Sequence, residues 1–312
     1  MKKYTLCFAL LISLFVSKIF AQTTSASDDS GIQRFIGIGN LKYFERAYPD
    51  ITFERRYDTA AGDWIISVKV PDVPGDKDGP GRTTEFYWAN GSFLPESELP
   101  NKDKYWSLLY SYQKVLTDPE IYTDEERERI KEFSSTESRK DGAGTPMFFF
   151  EAIYDAQTRR SLETNIVRIK FLGKLTNVHK RMQEPLKRVE EKVNALAETD
   201  EAVKKFLSNL KSCDAYYWRI IEGTNRKSFH SLGIAMDVLP KNQEGKQIFW
   251  SWAKSKYPNT WMLIPLKNRW MPPESVISAF EEEGFIWGGK WVIYDNMHFE
   301  YHPELIEYNF KN

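Results

Sequence analysis

The amino-acid sequence predicts an α+β protein of two unlike parts: an N-terminal α+β module, and a C-terminal domain built on a small antiparallel sheet flanked by helices. Three observations carry this expectation. β-Branched runs and an Asn-Gly pair cluster before residue 100, and amphipathic, capped stretches fill most of residues 102–210. Short alternating runs, "IAMDV" and "HFEY", return beyond residue 230, within a stretch from 212 to 312 that holds seven of the ten tryptophans and three of the four histidines. A chain of 312 residues with 41% hydrophobic and 15% aromatic content is long enough to bury a substantial core in one large or two medium domains.

Residues 1–21, "MKKYTLCFALLISLFVSKIFA", have the charged, apolar, small-residue order of a secretory signal, with Lys2 and Lys3 leading and Ala21 at the expected cut. The uncharged run from Tyr4 to Ser17 is shorter than the roughly 18 apolar residues a membrane span needs. Cleavage near Gln22 is therefore expected to leave no stable membrane span, with an uncleaved anchor as the alternative. It removes Lys2, Lys3 and Lys18 and no acid, taking the formal charge from −1 to about −4. Neither value shows the basic excess of a phosphate-binding surface, which excludes a nucleic-acid partner. Cys7 lies in the signal and leaves Cys213 alone, so the exported chain must rely on core packing or a metal without an intramolecular disulfide. Cys213 itself is expected to be a small core residue.

The N-terminal module is assigned residues 22–159, opening with a polar leader over 22–31. "DWIISVKV" is a predicted strand, and "TEFYWANGSFL" holds Asn90-Gly91, the pair that favours a tight hairpin turn. Between them "PDVPGDKDGPGR" has too many Pro, Gly and Asp for a regular element. Residues 102–137 are predicted helical, the second helix opening at Thr123 with Glu126 three places on, a capping box. "SSTESRKDGAGTP" breaks the pattern, and "MFFFEAIYDAQ" resumes it as a helix. No function is legible in this half.

The C-terminal domain is assigned residues 160–312. It opens with the apolar run "NIVRIKFL" and a charged amphipathic stretch from about Leu175 to Leu210, which puts His179 on a helix face. In "SFHSLGIAMDV" the segment Ser231-Leu232-Gly233 turns the chain, and Ala235 and Asp237 share one face of the strand that follows. A histidine before that turn and an aspartate along the strand can converge, and both side chains are good zinc ligands. In "YDNMHFEYHPEL" the alternation places His298 and Glu300 on one face, making His298 a candidate third ligand. Asp295, at the turn before it, is a candidate general base lying beside the metal without binding it. Ser228 shares a face with His230, and Arg219 or Arg226 can supply the cation that holds an oxyanion or a substrate carboxylate. The "FIWGGKW" aromatics fit a cleft lining or a buried core equally well. The run Glu281-Glu282-Glu283 reads as a solvated helix end, and His302 as an edge residue.

These residues resemble a known family. "WRIIEGTNRKSFHSLGIAMDV", "FEEEGFIWGGKW" and "YDNMHFEYHPEL" look like the zinc D-alanyl-D-alanine carboxypeptidases and L-alanyl-D-glutamate peptidases, a group of peptidoglycan peptidases that includes the vancomycin-resistance dipeptidases and shares a hedgehog-like zinc fold. The family pattern Ser-x-His-x-x-Gly-x-Ala-x-Asp, followed by an acid-x-x-His, is filled at every position here. The resemblance covers roughly residues 160–312. It implies one Zn2+ per chain held by His230, Asp237 and His298, Asp295 as the base, Arg219 rather than Arg226 as the arginine, and Ser228 as a substrate contact. It implies a peptidoglycan stem peptide as substrate and a place in the periplasm or cell envelope of a bacterium. The chain departs from the pattern at His302, where relatives often carry Arg. A non-catalytic zinc module for wall binding or signalling is the alternative.

Overall fold

The structure, a computed structural model, describes residues 37–311 apart from 74, 75, 117, 120, 121 and 225. The expected signal and leader lie outside the described residues. The architecture is α+β, with small antiparallel sheets flanked by helices, and the N-terminal module precedes the C-terminal domain.

Helix α1 (Leu41–Ala47) leads into a three-stranded antiparallel sheet in the order β1 (Thr52–Asp58), β2 (Asp63–Pro71), β3 (Gly81–Tyr87). Alternation along β2 buries Ile66, Val68 and Val70 on one face, as a sheet covered on one side requires. The Pro- and Gly-rich segment starts at the end of β2 and finishes at the start of β3, and its described residues between them form no regular element. The Asn90-Gly91 pair does reverse the chain, with φ of 58° and 89°, but Tyr87 pairs only with Leu94 beyond it. The expected hairpin is thus reduced to one bridge. Phe44, Phe93 and Phe149 meet under the sheet with ring centroids 4.7–5.3 Å apart.

The helix expected over 102–137 is only partly formed. A 3-10 segment covers Glu96–Lys104, and a strap without regular structure follows it across the C-terminal domain. Tyr112 fixes this strap, its hydroxyl accepting from Trp287 N and donating to Glu281, while its own N–H donates to Asn309. Helix α2 (Asp124–Phe133) does open with the predicted capping box, Thr123 and Glu126 bonding each other's backbone N–H groups. Helices α3 (Thr136–Asp141), α4 (Phe148–Ile153) and α5 (Arg159–Glu163) are short.

The strands β4 (Ile166–Phe171) and β5 (Lys174–His179) form a hairpin. The amphipathic stretch therefore starts as a strand, and helix begins only with α6 (Gln183–Ala197) and α7 (Glu201–Asn209), the latter capped by Asp200. This moves His179 from the expected helix face to a buried strand end, where Nε2–H donates to Tyr154 O at 3.2 Å and Nδ1 accepts from Arg181 N at 3.2 Å. The β-branched Thr176 and Val178, paired with β4, outweigh the helical spacing of the charges.

The second sheet has the antiparallel order β6 (Leu210–Asp214), β7 (Ala235–Pro240), β9 (His298–Tyr301), β8 (Phe285–Trp287). Helix α8 (Trp250–Lys256) lies in the β7–β8 connection. Helix α9 (Glu274–Glu282) packs on α6, and α10 (Pro303–Phe310) packs on α1 of the N-terminal module. The acidic end of α9 is paired rather than solvated: Glu282 and Glu283 meet Lys192, Glu283 meets Arg188, and Glu281 meets Lys290. One apolar cluster runs without a break from Ile38 to Ile306, so the two parts share a core. Cys213 is buried in it, and burial pushes its thiol up to about 12, which suits an inert packing role. Among the described residues no helix is long and apolar enough to cross a membrane.

Candidate metal centre

Antiparallel register brings two of the three expected ligands together. Asp237 on β7 pairs directly with His298 on β9, so their side chains stand side by side on one face of the sheet. His230 arrives from the 3-10 turn Phe229–Leu232 that precedes β7. Ser228 caps that turn by accepting from His230 N at 3.3 Å, and Gly233 ends it at φ 69°. A Cβ at Gly233 would lie 2.7 Å from His179 N, so the close crossing of β5 under the turn requires glycine.

The donor atoms converge. His298 Nδ1 lies 2.8 Å from Asp237 Oδ1 and 3.2 Å from His230 Nε2, and His230 Nε2 lies 3.3 Å from Asp237 Oδ1. One ligand atom from each residue falls within 4.8 Å of the others. The opposite edge of each ring is occupied: His230 Nδ1 meets Ala215 O at 2.6 Å and His298 Nε2 meets Glu300 Oε1 at 2.8 Å. Both partners can only accept, so those nitrogens carry protons, and Nε2 of His230 and Nδ1 of His298 are the ring atoms turned toward the Asp237 carboxylate, the position from which a metal would be bound. Burial opposes charge on Asp237, yet hydrogen bonds from His230 and His298 hold it well below the usual carboxylate range. Two imidazoles and one carboxylate, oriented from behind by a carbonyl and a second carboxylate, match the ligand and outer-shell chemistry of a zinc site.

Asp295 sits in the loop before β9, its N–H on Gly288 O and its carbonyl accepting from His298 N. Its Oδ1 is buried without a hydrogen-bond partner. Burial pushes its carboxyl up to about 7; His298 pulls the other way, and Asp237 adds to the rise.

Arg219 lines a cleft of about 370 Å³ together with His230, Asp237, Tyr217 and Asp214. Ser231 holds its backbone through both N–H and C=O, leaving the side chain exposed. Arg226 goes elsewhere, its guanidinium donating to Gly142 O. The structure thus gathers His230, Asp237 and His298, sets Asp295 near them and Arg219 in the adjoining cleft, and commits the Ser228 hydroxyl to the turn.

The aromatic segment divides: Trp287 is buried, while Trp291 packs its ring 5.6 Å from that of His298. Three residues behind His298 were not anticipated as parts of the site. His302 is buried, not an edge residue, bonding Glu300 at 3.2 Å and Glu304 at 2.7 Å, and Tyr48 reaches Glu304 from the other half of the chain. The sequence carried little signal for them: His302 and Glu304 follow Glu300 at steps of two, but β9 ends at Tyr301 and Glu304 falls on α10.

The family model for D-alanyl-D-alanine carboxypeptidases matches residues 222–301, the span that carries His230, Asp237, Asp295 and His298. A second model, a domain of unknown function, matches residues 40–110 in the N-terminal module. No curated protein and no solved structure matches the chain. Sequence pattern, sheet register and the His230–Asp237–His298 cluster agree with that match, and residues 222–301 are similar to the peptidase domain of the D-alanyl-D-alanine carboxypeptidases.

Proposed function

We propose that the chain is an exported zinc peptidase that hydrolyses peptidoglycan stem peptides, at D-Ala-D-Ala or a neighbouring bond, in the periplasm or cell envelope of a bacterium. The observation that carries this reading is the convergence of His230, Asp237 and His298 beside a carboxyl, Asp295, that has an unpartnered buried oxygen. One Zn2+ held by those three ligands would supply the Lewis acidity that activates a water and polarises a scissile carbonyl. Asp295 accepts the proton from the attacking water and returns it to the leaving amine; a carboxyl near pH 7 is matched to both transfers. Arg219, at the mouth of the cleft, neutralises the developing oxyanion or the substrate's terminal carboxylate. Glu300 is less suited to the proton transfers: both its oxygens are occupied by His298 and His302, which hold it down at about 2 against its burial. Export rests on the order of residues 1–21, and the boundary near residue 160 on the β4–β5 hairpin, whose β5 bonds Tyr216 and Gly233 of the C-terminal domain.

Purified wall peptides, incubated with the full chain before and after chelation, test the reading. Release of D-alanine or of a shortened peptide that chelation abolishes and zinc restores is expected. Binding of peptide without hydrolysis under any metal condition would favour the wall-binding module instead.

A further inference from the structure

A file of polar side chains runs away from the centre, opposite the cleft. His298 Nε2 donates to Glu300 Oε1 at 2.8 Å, and Glu300 Oε2 lies 3.2 Å from His302 Nε2. His302 Nδ1 lies 2.7 Å from Glu304 Oε1, and Glu304 Oε2 accepts from Tyr48 OH at 2.7 Å. Tyr48 follows α1 and lies 256 positions from Glu304 in the chain, inside the span of the domain of unknown function. The last steps are dry: Glu304 is fully buried, His302 and Tyr48 are 4% exposed, and Phe150 and Phe229 stand edge-on to the His302 ring at 5.2 and 4.6 Å.

Both nitrogens of His302 face carboxylate oxygens, and a carboxylate can only accept, so the ring bridges its neighbours best as a doubly protonated cation. Burial opposes that charge, but Glu304 and Glu300 overcome it and lift His302 to about 9. His302 fixes the Glu300 carboxylate in place, and that carboxylate in turn fixes the ring plane and tautomer of His298. Glu304, at zero exposure, has both oxygens satisfied, one by His302 and the other by Tyr48.

We propose that Tyr48 of the N-terminal module, acting through Glu304, His302 and Glu300, positions the imidazole of His298 and so sets the affinity of the centre for its metal. The N-terminal module is then part of the metal site's support as well as of the shared core. Tyr48, Glu304 and His302 are positioning residues, since none of them touches metal or substrate. The inference rests on the zinc reading above.

The test is the zinc dissociation constant of the full chain, read by competition with a chromophoric chelator, for wild type, Tyr48→Phe, Glu304→Gln and the double variant. The visible absorption bands of the Co2+-substituted proteins and the melting temperature of each metal-free chain are recorded alongside. Removal of an outer-shell partner weakens metal binding by about 10-fold to 100-fold. Glu304→Gln is expected in that range with a shifted Co2+ spectrum. Tyr48→Phe is expected to show a smaller loss in the same direction, and the double variant less than the product of the two. Unchanged zinc affinity and Co2+ spectra in variants whose melting temperatures fall would overturn the coupling and leave Tyr48 a purely structural contact. Wild type that binds no zinc, or binds it equally well after His298→Ala, would overturn the zinc reading and the coupling with it.

Discussion

The two sheets of this protein handle polar groups in opposite ways. In the N-terminal sheet charge stays in water: the Arg56–Glu85 pair across it is more than half exposed, and the buried face meets the Phe44, Phe93 and Phe149 rings. In the C-terminal sheet the strands carry Asp237, His298 and Glu300 into a largely closed environment, where the His298 ring bonds the carboxylates on both sides of it. Apolar packing is non-directional and tolerates repacking, whereas a buried polar array is worth having only when every member is satisfied. The first sheet can therefore supply stability and position, and the second can supply chemistry. The Tyr48 hydroxyl is where one serves the other.

The largest effect expected from breaking this division is at Asp295. Asparagine there is nearly isosteric and leaves the three ligands intact, so Asp295→Asn should retain near-stoichiometric zinc and its melting temperature while turnover of wall peptide falls by about 10²–10⁴-fold. Elemental analysis and steady-state kinetics on the same sample check it. Lost zinc would make Asp295 a ligand, and unchanged turnover would move the base elsewhere.

Next in size is a cut into the apolar region. Phe93 is fully buried among Phe44, Trp88 and Phe149, and truncation of such a ring costs about 3–5 kcal/mol. Because one cluster joins both parts, urea unfolding of Phe93→Ala followed by circular dichroism and by zinc release should give coincident transitions at a lowered midpoint. Zinc release lagging behind the loss of secondary structure would mean that the N-terminal module unfolds alone.

The same division governs what could be read from the letters. The convergence of His230, Asp237 and His298 was legible because the residues stand at the fixed spacings of a family pattern and because period-2 alternation fixes which face each strand residue takes. The Thr123 capping box was legible because both of its bonds are local. The strap after residue 104 was not, since what holds it is Tyr112 in contact with residues more than 160 positions away. Nor was the helix-to-strand exchange at Leu175–His179, where pairing with β4 decides the conformation. His302 was misjudged for a related reason: its burial depends on Phe150, Phe229 and Glu304 closing around it, and a single strand does not announce its neighbours.

His179 sharpens the comparison at the seam between the parts, where it binds Tyr154 O under the Gly233 turn. Burial, with Arg181 adding, drops its pKa to about 3 from the ordinary 6.5. The folded state thus keeps the ring neutral while the unfolded chain takes up a proton below pH 6.5. The resulting stability is complete above pH 6.5 and declines as pH falls toward 3, at about 1.4 kcal/mol per pH unit for this one group. Urea midpoints between pH 7 and 4.5 should show that His179→Gln flattens the decline relative to wild type. Parallel curves would mean the ring is not protected from protonation.

The smallest effect belongs to the exposed charges of the N-terminal sheet. Arg56 Nη2 lies 3.2 Å from Glu85 Oε2, with the two side chains 60% and 53% exposed, and Glu85 also accepts from Ser67 Oγ on the strand between them. Water screens both charges, and holding two long side chains in one geometry costs entropy, so such a pair is worth about 0.2–1 kcal/mol. Arg56→Gln should lower the urea midpoint by no more than that, and the difference should shrink as salt is raised, because exposed charges lose their interaction as the screening length shortens. Zinc affinity and turnover should not move, since among the described residues no file of buried bonds leads from β1 to the metal centre as one does from Tyr48. A loss approaching that of Phe93→Ala, or one insensitive to salt, would mean that charge on this sheet is held as tightly as charge on the other, and the contrast between the two sheets would fail.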